Sequence, residues 1–351
     1  MNISFMSFIT ELFSNPLLFI LAISIFGVMI VNGKTDAPNA IATCISTRAI
    51  TPRKAIIMAG IFEFLGVFIM SLFSSNVVST IYKIANFGSN PNHAILAVSV
   101  GLISAIIWAH SSEKIGIPTS ESHALIAGIS GAAIAINHGI NGINSEEWKK
   151  VIYGLFISLI LGFGLGFLVT KLVRAICKNM DRRKTNVFFR KAQVLSAALV
   201  SFMHGGQDGQ KFIGILLLGI AFSNGVTSGE LIDIPIWLII IGAFFMALGT
   251  QLGGTEIIKT VGSKMVKLEP YEGTCADLSG ALCLLFSTTL GIPVSTTHTK
   301  TASIMGVGGS KRITNVNWNV VKNMMISWIL VFPGCGILGY LATTICLKFI
   351  S

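Results

Sequence analysis

Two short polar motifs in an otherwise apolar sequence carry hydroxyl groups directly after a proline. The first reads Pro118-Thr-Ser-Glu-Ser and the second reads Pro293-Val-Ser-Thr-Thr. Proline at the first helical position, with serine or threonine beside it, is typical of a helix N-terminus. Such an end offers unpaired N–H groups and the positive end of the helix dipole, which together bind anions. The motifs therefore predict two helix ends that share one tetrahedral oxyanion, unless the hydroxyls only cap the helices or bond between them.

The two motifs are copies of one another. Gly116–His123 and Gly291–His298 are separated by 175 residues, and eight of the sixteen positions from Gly116 onward are identical at this spacing. A second pair of motifs, Gly33-Lys-Thr-Asp36 and Gly205-Gly-Gln-Asp208, has a spacing of 172 residues. Similarity at a fixed spacing indicates a duplicated unit. The sequence therefore predicts two related halves.

The composition indicates that these halves lie in a membrane. The chain is 52% hydrophobic and 11% charged, whereas an ordinary soluble domain is about 25% charged. Apolar stretches long enough to cross a bilayer recur along it, so we predict an all-α polytopic membrane protein. The first 33 residues lack Lys and Arg, which argues against a cleaved signal peptide and for a retained first helix. The predicted crossings are 16–47, 54–75, 93–112, 118–137, 148–176, 190–224, 235–252, 271–290, 293–309 and 318–346.

Basic residues orient the predicted crossings. Seven Lys and Arg residues lie between positions 174 and 191, and such residues collect in cytoplasmic loops. We therefore predict a cytoplasmic linker at 177–191 between repeats 16–176 and 192–347, and orientation explains this cluster better than nucleic-acid binding does. Five crossings in each repeat would invert the second repeat and place both termini outside. Inverted repeats are a recurrent plan of secondary transporters, and they imply alternating access.

The first crossing of each repeat is interrupted by polar residues. The interruptions are Asn32–Asn39, which contains Gly33 and Pro38, and Ser201–Lys211. Both sequences oppose a continuous helix, and we predict that both crossings are broken at the membrane midplane. Broken helices are tolerated there only where they are buried or line a cavity. The segments 118–137 and 293–309 are predicted as half-helices that begin at this midplane, and the sequence leaves open whether they span the membrane or re-enter it.

Several acidic residues lie within predicted membrane segments. An ionisable residue at a helix centre costs about 2.5–3.5 kcal/mol on insertion scales, and such residues mark ion or proton paths unless they are paired. The candidates are Asp36, Glu63, Asp208 and Asp277, which could coordinate Na⁺, carry a proton or neutralise lysines. Glu121 is unexpected beside an anion site, where it would be protonated or paired with a lysine.

These motifs resemble those of the inorganic phosphate transporter (PiT) family, whose members are sodium- or proton-coupled phosphate symporters. The resemblance covers nearly the full length. Its motifs are Gly33–Ala40, similar to the family's G-A-N-D-x-A-N-A signature, the two P-x-S-x-x-H motifs at Pro118 and Pro293, Thr51–Pro52 with Ile61–Gly66, and Pro270 with Ala276–Ser279.

The resemblance implies that both inverted repeats contribute residues to phosphate held near the membrane centre, with sodium beside it. Together with the residues discussed above, the predicted phosphate-binding set is Asp36, Asn39, Ser120, Glu121, Ser122, Asp208, Lys211, Ser295, Thr296 and Thr297. The predicted cation-coupling set is Asp36, Glu63, Gln207, Asp208 and Asp277, with Na⁺ at Asp36, Asn39 and Asp208. We expect phosphate and membrane lipid as partners, no nucleic acid, and no cofactor besides the coupling Na⁺ or H⁺. The resemblance also implies a homodimer.

Four positions depart from the family signature. Lys34 replaces a small Ala. Thr35 and Gln207 stand where the signature has Asn before Asp, and Lys211 stands where the second copy would repeat a later Asn. An ammonium at Lys211 could occupy the place of one sodium ion, because each supplies one positive charge beside Asp208. The sequence thus leaves the choice and number of coupling ions open.

The sequence as a whole predicts a secondary active transporter of the cytoplasmic membrane that imports inorganic phosphate by symport with Na⁺ or H⁺. No nucleophile and base with catalytic spacing stand out, so we do not expect an enzyme. A sulfate permease of the same fold is the main alternative, although only phosphate can donate a hydrogen bond to a carboxylate such as Asp36. A phosphate-responsive membrane receptor without transport activity is the alternative from a different class.

Overall fold

The computed structural model describes residues 4–114, 119–225 and 233–350, and these ranges are almost entirely helical. Within them, β pairing is confined to one isolated bridge between Ala85 and Ile143. The helices are α1 (Phe5–Ser14), α2 (Pro16–Thr35), α3 (Ala37–Ser46), α4 (Pro52–Phe73), α5 (Asn76–Tyr82), α6 (Pro91–Lys114), α7 (Glu121–Asn137), α8 (Ser145–Ile176), α9 (Arg182–Ser223), α10 (Ile236–Gln251), α11 (Thr255–Lys259), α12 (Pro270–Thr289), α13 (Thr296–Lys311) and α14 (Trp318–Ile350).

The helices begin where the sequence supplies start signals. Helices α2, α4, α6 and α12 each start at a proline, whose missing N–H would have no partner in the first turn of a helix. The Oδ1 atom of Asn15 caps α2 by accepting from the N–H groups of Leu17 and Leu18. The predicted crossings coincide with helices of the structure, and the all-α prediction is confirmed. Among the described residues, five helical segments are long and apolar enough to cross a membrane, namely Pro16–Ser46, Pro52–Phe73, Pro91–Ser112, Ser145–Asn179 and Trp318–Phe349.

The first crossing is broken as predicted, but its counterpart is not. Helix α2 ends at Thr35 and α3 begins at Ala37, with Asp36 between them. Helix α9, in contrast, runs without interruption through Gly205 and Asp208, so the prediction of a second broken crossing is wrong. The physical reason is that α9 contains no proline, and a glycine costs only about 1 kcal/mol in a helix interior. Close packing of α9 on α4 offsets this cost, because a Cβ atom on Gly205 would overlap backbone atoms of α4.

The two predicted half-helices begin at serines rather than at prolines. Ser120 caps α7 and Ser295 caps α13, and the hydroxyl of each accepts from the backbone N–H three residues later, at 3.2 Å. Pro293 lies two residues before its cap, in the non-helical connection from α12, so its prediction as the first helical residue is wrong. The backbone N–H of Val294 donates instead to the carbonyl of Ile292 across this proline. Pro118 lies outside the described residues.

Helices from the two halves of the chain pack reciprocally. Helix α7 packs on α14, and α13 packs on α8. In the same way α4 packs on α9, and α10 packs on α2. Such reciprocal packing is expected when a two-fold axis relates the two halves. The inverted orientation of the two repeats stays a prediction.

The predicted linker 177–191 is largely helical. It contains a 3₁₀ turn at Cys177–Asn179, and from Arg182 onward it forms the first turns of α9. Its lysines and arginines are exposed. Their cytoplasmic location stays a prediction.

Candidate functional site

Four polar segments converge inside the helical bundle. They are the break at Asp36, the first turns of α7 and α13, and the middle of α9. Thr296 Oγ1 donates to Asp208 Oδ2 at 3.2 Å, and Lys211 Nζ donates to Ser122 Oγ at 2.6 Å. All of these side chains are buried. The structure thus brings together predicted site residues from both halves of the chain.

Among the described residues, the hydrogen-bond partners of Asp36 are all uncharged. Its Oδ1 accepts from the hydroxyl of Thr297 and from Asn39 Nδ2, the latter at 3.1 Å. Its Oδ2 lies 3.4 Å from Asn32 Nδ2. Asn39 Nδ2 also donates to Thr297 Oγ1 at 3.0 Å, which ties α3 to α13. The carboxylate at the helix break is therefore held in place without a cation bonded to it.

Asp208 is held differently. Its Oδ1 accepts from Lys211 Nζ at 2.6 Å, within one turn of α9. Its Oδ2 lies 3.4 Å from Asn32 Nδ2 and 3.3 Å from His204 Nε2. Asn32 therefore bridges Asp36 and Asp208, the two carboxylates contributed by the two halves of the chain.

The site offers oxygen ligands and one imidazole nitrogen for a cation. Asp36, His204 and Asp208 each place one ligand atom within 4.8 Å of the others. The Oδ1 atoms of Asn32 and Asn39 are buried and have no hydrogen-bond partner. Buried polar atoms are almost always paired, so an unpaired amide oxygen indicates a missing ligand. Carboxylate and amide oxygens suit a hard cation.

The capping serines leave hydrogen-bond donors for an anion. Ser120 and Ser295 use their hydroxyl oxygens to satisfy one N–H group each. The other N–H groups in the first turn of a helix have no acceptor inside that helix. Ser122, Thr296 and Thr297 add hydroxyls in the same turns. Two helix N-termini with hydroxyls therefore meet beside the carboxylates.

Glu63 is connected to the site through a histidine. One carboxylate oxygen of Glu63 contacts His204 Nδ1, and the other accepts from Thr250. The opposite nitrogen of His204 lies 3.3 Å from Asp208 Oδ2. Glu63 is therefore one imidazole away from the central carboxylates.

Two predicted cation-coupling residues lie apart from this cluster. Asp277 pairs with Lys300 and accepts from Thr43 Oγ1 at 2.6 Å. Gln207 accepts from Thr288 and donates to the carbonyl of Ile292 at 2.9 Å. Both networks connect helices of the bundle to one another, and a coupling role for either residue stays a prediction.

The remaining acidic residue of the predicted site is Glu121. It is buried in the first turn of α7. Whether it is protonated or paired with a lysine stays a prediction. Asn32 was not among the predicted site residues, although it lies four residues before Asp36 and hence on the same face of α2.

The motif histidines lie behind the site. The rings of His123 and His298 meet with their centroids 4.8 Å apart, and Phe332 and Trp328 pack against them. All four ring nitrogens of this pair lack hydrogen-bond partners. The first turns of α7 and α13 are therefore in direct contact.

A multi-pass helical bundle whose broken helix and two helix N-termini meet at a buried polar site has the architecture of a membrane transport protein. Comparison with known proteins agrees. The family model described as "Phosphate transporter family" matches residues 32–339. The chain therefore belongs to the phosphate transporter family, a family of transport proteins and not of enzymes.

Individual relatives support this assignment. A protein of Bacillus subtilis (strain 168), described as a probable low-affinity inorganic phosphate transporter, is 40% identical over 312 residues, which cover 89% of this chain and 92% of the relative. A protein of Rhizobium meliloti (strain 1021) with the same description is 36% identical over 310 residues, which cover 88% and 90%. A solved structure described as "The sodium-dependent phosphate transporter" is 27% identical, with a TM-score of 0.87, and the match covers 96% of this chain and 100% of that one.

Proposed function

We propose that this chain imports inorganic phosphate across the cytoplasmic membrane by sodium-coupled symport, with alternating access. The family and the relatives named as phosphate transporters support the substrate. The similar structure named as sodium-dependent supports the coupling ion. The observation that carries the proposal is the pair of unpaired amide oxygens of Asn32 and Asn39 beside Asp36.

The anion would bind at the N-termini of α7 and α13. Their first turns supply N–H groups, dipoles and the hydroxyls of Ser122, Thr296 and Thr297, which suit a tetrahedral oxyanion. Phosphate is favoured over sulfate because a carboxylate such as Asp36 can accept a hydrogen bond from protonated phosphate only. The helix ends would attract the oxyanion, and the carboxylate would select phosphate over sulfate.

Cation binding would make anion binding favourable. Asp36 and Glu121 are buried carboxyl groups near these helix ends, and an anion beside unneutralised carboxylates is repelled. A sodium ion on Asp36, with the amide oxygens of Asn32 and Asn39, would remove this repulsion. Coupling then follows because each ion binds more tightly when the other is present.

Alternating access would follow from two inverted repeats that move around a fixed central site. The reciprocal packing of α7 on α14 and of α13 on α8 supports two equivalent halves. Because the first turns of α7 and α13 are in direct contact, a movement of one half would displace the other. The homodimer implied by the resemblance stays a prediction.

Uptake of labelled phosphate into proteoliposomes tests the proposal. We expect an inward Na⁺ gradient to drive uptake, a pH gradient alone to drive little, and excess sulfate to compete weakly. Uptake driven only by the pH gradient would refute sodium coupling. Stronger inhibition by sulfate than by unlabelled phosphate would refute phosphate as the preferred substrate. Phosphate binding without any flux would favour a receptor.

A substitution at Asn32 tests the cation site directly. We expect Asn32→Ala to raise the half-saturating Na⁺ concentration on the order of ten- to a hundred-fold, the range seen when support of a metal site is lost. Ser24→Ala is the matched control on α2, because the hydroxyl of Ser24 bonds only to its own helix, at Ile20. Equal sodium dependence in both variants would exclude Asn32 from the cation site.

A further inference from the structure

Lys211 is a fully buried lysine at the centre of the bundle, with 0% of its surface exposed. Its Nζ atom lies 2.6 Å from Asp208 Oδ1, 2.6 Å from Ser122 Oγ and 2.7 Å from the carbonyl oxygen of Val294. These acceptors belong to three different parts of the chain, namely α9, the first turn of α7 and the connection before α13. One ammonium therefore joins both anion-binding helix ends to the carboxylate of α9.

The number of acceptors around Lys211 matches the number of donors on an ammonium. An ammonium has three N–H donors and no acceptor, and each donor of Lys211 has one oxygen. A neutral amine has only two N–H bonds, and its lone pair could then face only the Ser122 hydroxyl, the one oxygen of the three that carries a hydrogen. The geometry therefore corresponds to a charged and fully satisfied ammonium.

The three oxygens around Lys211 are also of the types that coordinate a sodium ion. Transporters hold Na⁺ with carboxylates, hydroxyls and unwound backbone carbonyls, and Lys211 contacts one of each. Asp208 also has neighbours on its other oxygen, from Asn32, Thr296 and His204. Both oxygens of Asp208 thus have partners within the protein.

The other carboxylate of the site lacks such a partner. Among the described residues, Asp36 is hydrogen-bonded by Asn32, Asn39 and Thr297, all of them neutral, and two of these partners, Asn32 and Asn39, carry an unpaired amide oxygen. The two halves therefore differ in one respect: a dissociable cation fits beside Asp36, and a tethered cation already lies beside Asp208.

We infer that Lys211 is a resident cation of the transport site that replaces one dissociable coupling ion, an inference that rests on the proposed sodium-coupled phosphate transport. All three N–H bonds of Lys211 are in use, so the predicted contact of this residue with phosphate would have to replace one of them. The lysine neutralises Asp208 in every cycle and stays with the protein. Only the ions beside Asp36 exchange with solution.

The experiment compares wild type with Lys211→Asn, which removes the ammonium and leaves room and an amide oxygen for Na⁺. Purified protein is titrated with ²²Na⁺ in the presence of phosphate, and ²²Na⁺ and labelled phosphate fluxes are measured together in proteoliposomes. We expect the variant to bind and carry about one more Na⁺ per phosphate than wild type. By mass action, a tenfold drop in Na⁺ at low concentration would then reduce its uptake about tenfold more than that of wild type.

Two further variants keep the result interpretable if Lys211→Asn folds poorly. Lys211→Met with Asp208→Asn removes both charges together, and we expect its sodium stoichiometry to equal that of wild type. Lys149→Met removes a lysine that pairs with Glu146 at the surface, outside the site, and it should leave the Na⁺-to-phosphate ratio unchanged. The same ratio in wild type and in Lys211→Asn would overturn the inference while phosphate transport stands. Absence of sodium-dependent phosphate flux in wild type would instead refute the proposed function.

Discussion

At the scale of residues, the buried carboxylates differ in what neutralises them. Asp277 has the ammonium of Lys300, Glu63 has the imidazole of His204, and Asp36 has only neutral donors. A buried pair fixes structure, because removing one partner leaves an uncompensated charge. Asp36 is therefore the carboxylate best suited to exchange a cation, and Asp277 the one best suited to hold helices together.

The Asp277–Lys300 pair gives a stability prediction. Asp277→Asn leaves Lys300 buried without a counter-ion, so we expect it to lower the free energy of unfolding by about 3–5 kcal/mol. Thermal unfolding of the detergent-solubilised protein measures this effect. Adding Lys300→Met to Asp277→Asn should recover most of the loss.

The matched control is Lys149→Met, which breaks an exposed pair with Glu146. Exposed pairs contribute little, so this variant should unfold like wild type. If Asp277→Asn unfolds like wild type but loses uptake, Asp277 acts in coupling and not in stabilising the fold.

Sequence patterns identified most site residues but not their partners. Asp36, Asn39, Asp208, Ser122 and Thr297 were predictable because lipid would reject them and because their motifs are duplicated. The bridging role of Asn32 and the pairing of Asp277 with Lys300 were not, because both contacts depend on how separate helices rotate against one another. A one-dimensional pattern shows which residues need a partner, whereas packing decides which partner they obtain.

At the scale of elements, the contact between α4 and α9 positions Glu63 against His204. A Cβ atom on Gly205 would overlap the carbonyl of Glu63, and one on Gly66 would overlap the carbonyl of Phe202. Two glycines on facing helices thus let the backbones approach closely, as small residues do in membrane helices. The ion pair depends on this short distance between helix axes.

Gly205→Ala tests this helix contact. The added methyl group must push α9 away from α4, and we expect a loss of about 1–3 kcal/mol from overpacking. Gly164→Ala in α8 is the control, since a Cβ atom there has no neighbour within 4 Å. It should be neutral or stabilising by about 0.5–1 kcal/mol. Thermal unfolding of the two variants tests this prediction. Equal unfolding midpoints would show that stability does not depend on the close approach of α4 and α9.

The elements themselves were largely predictable from apolar stretches and proline positions. The break at Asp36 was predictable because Pro38 lacks an N–H group. The predicted break in α9 failed because its glycines are compatible with a helix once another helix packs on them. The exact starts of α7 and α13 were missed because serine caps compete with proline as start signals, and the caps determine the helix start here.

At the scale of the whole molecule, helices of each half pack against helices of the other half. Each of the helices α7 and α13 begins at the centre and packs along the last long helix of the other half. Neither half therefore encloses the site alone. The positive-inside rule predicts that the basic residues after α8 lie on the cytoplasmic side of this assembly.

Labelling of single cysteines in intact cells tests the predicted orientation. After replacement of the six native cysteines, all of which are free, we expect a membrane-impermeant maleimide to label Asn141→Cys but not Lys184→Cys. Both positions are exposed. Lysed cells should label at both positions. Labelling of Lys184→Cys in intact cells would reverse the assigned orientation.

The three contacts of Lys211 have a consequence for how steeply phosphate can be accumulated. A sodium ion that enters with each phosphate contributes about 2.3 kcal/mol per 100 mV of membrane potential, and about 1.4 kcal/mol more for a tenfold Na⁺ gradient. A tethered ammonium contributes neither, because it crosses the field and returns within the same cycle. Each Na⁺ that Lys211 replaces therefore lowers the attainable accumulation ratio by a few hundredfold under such conditions. In exchange, the cell loses less of its sodium gradient for every phosphate that it takes up.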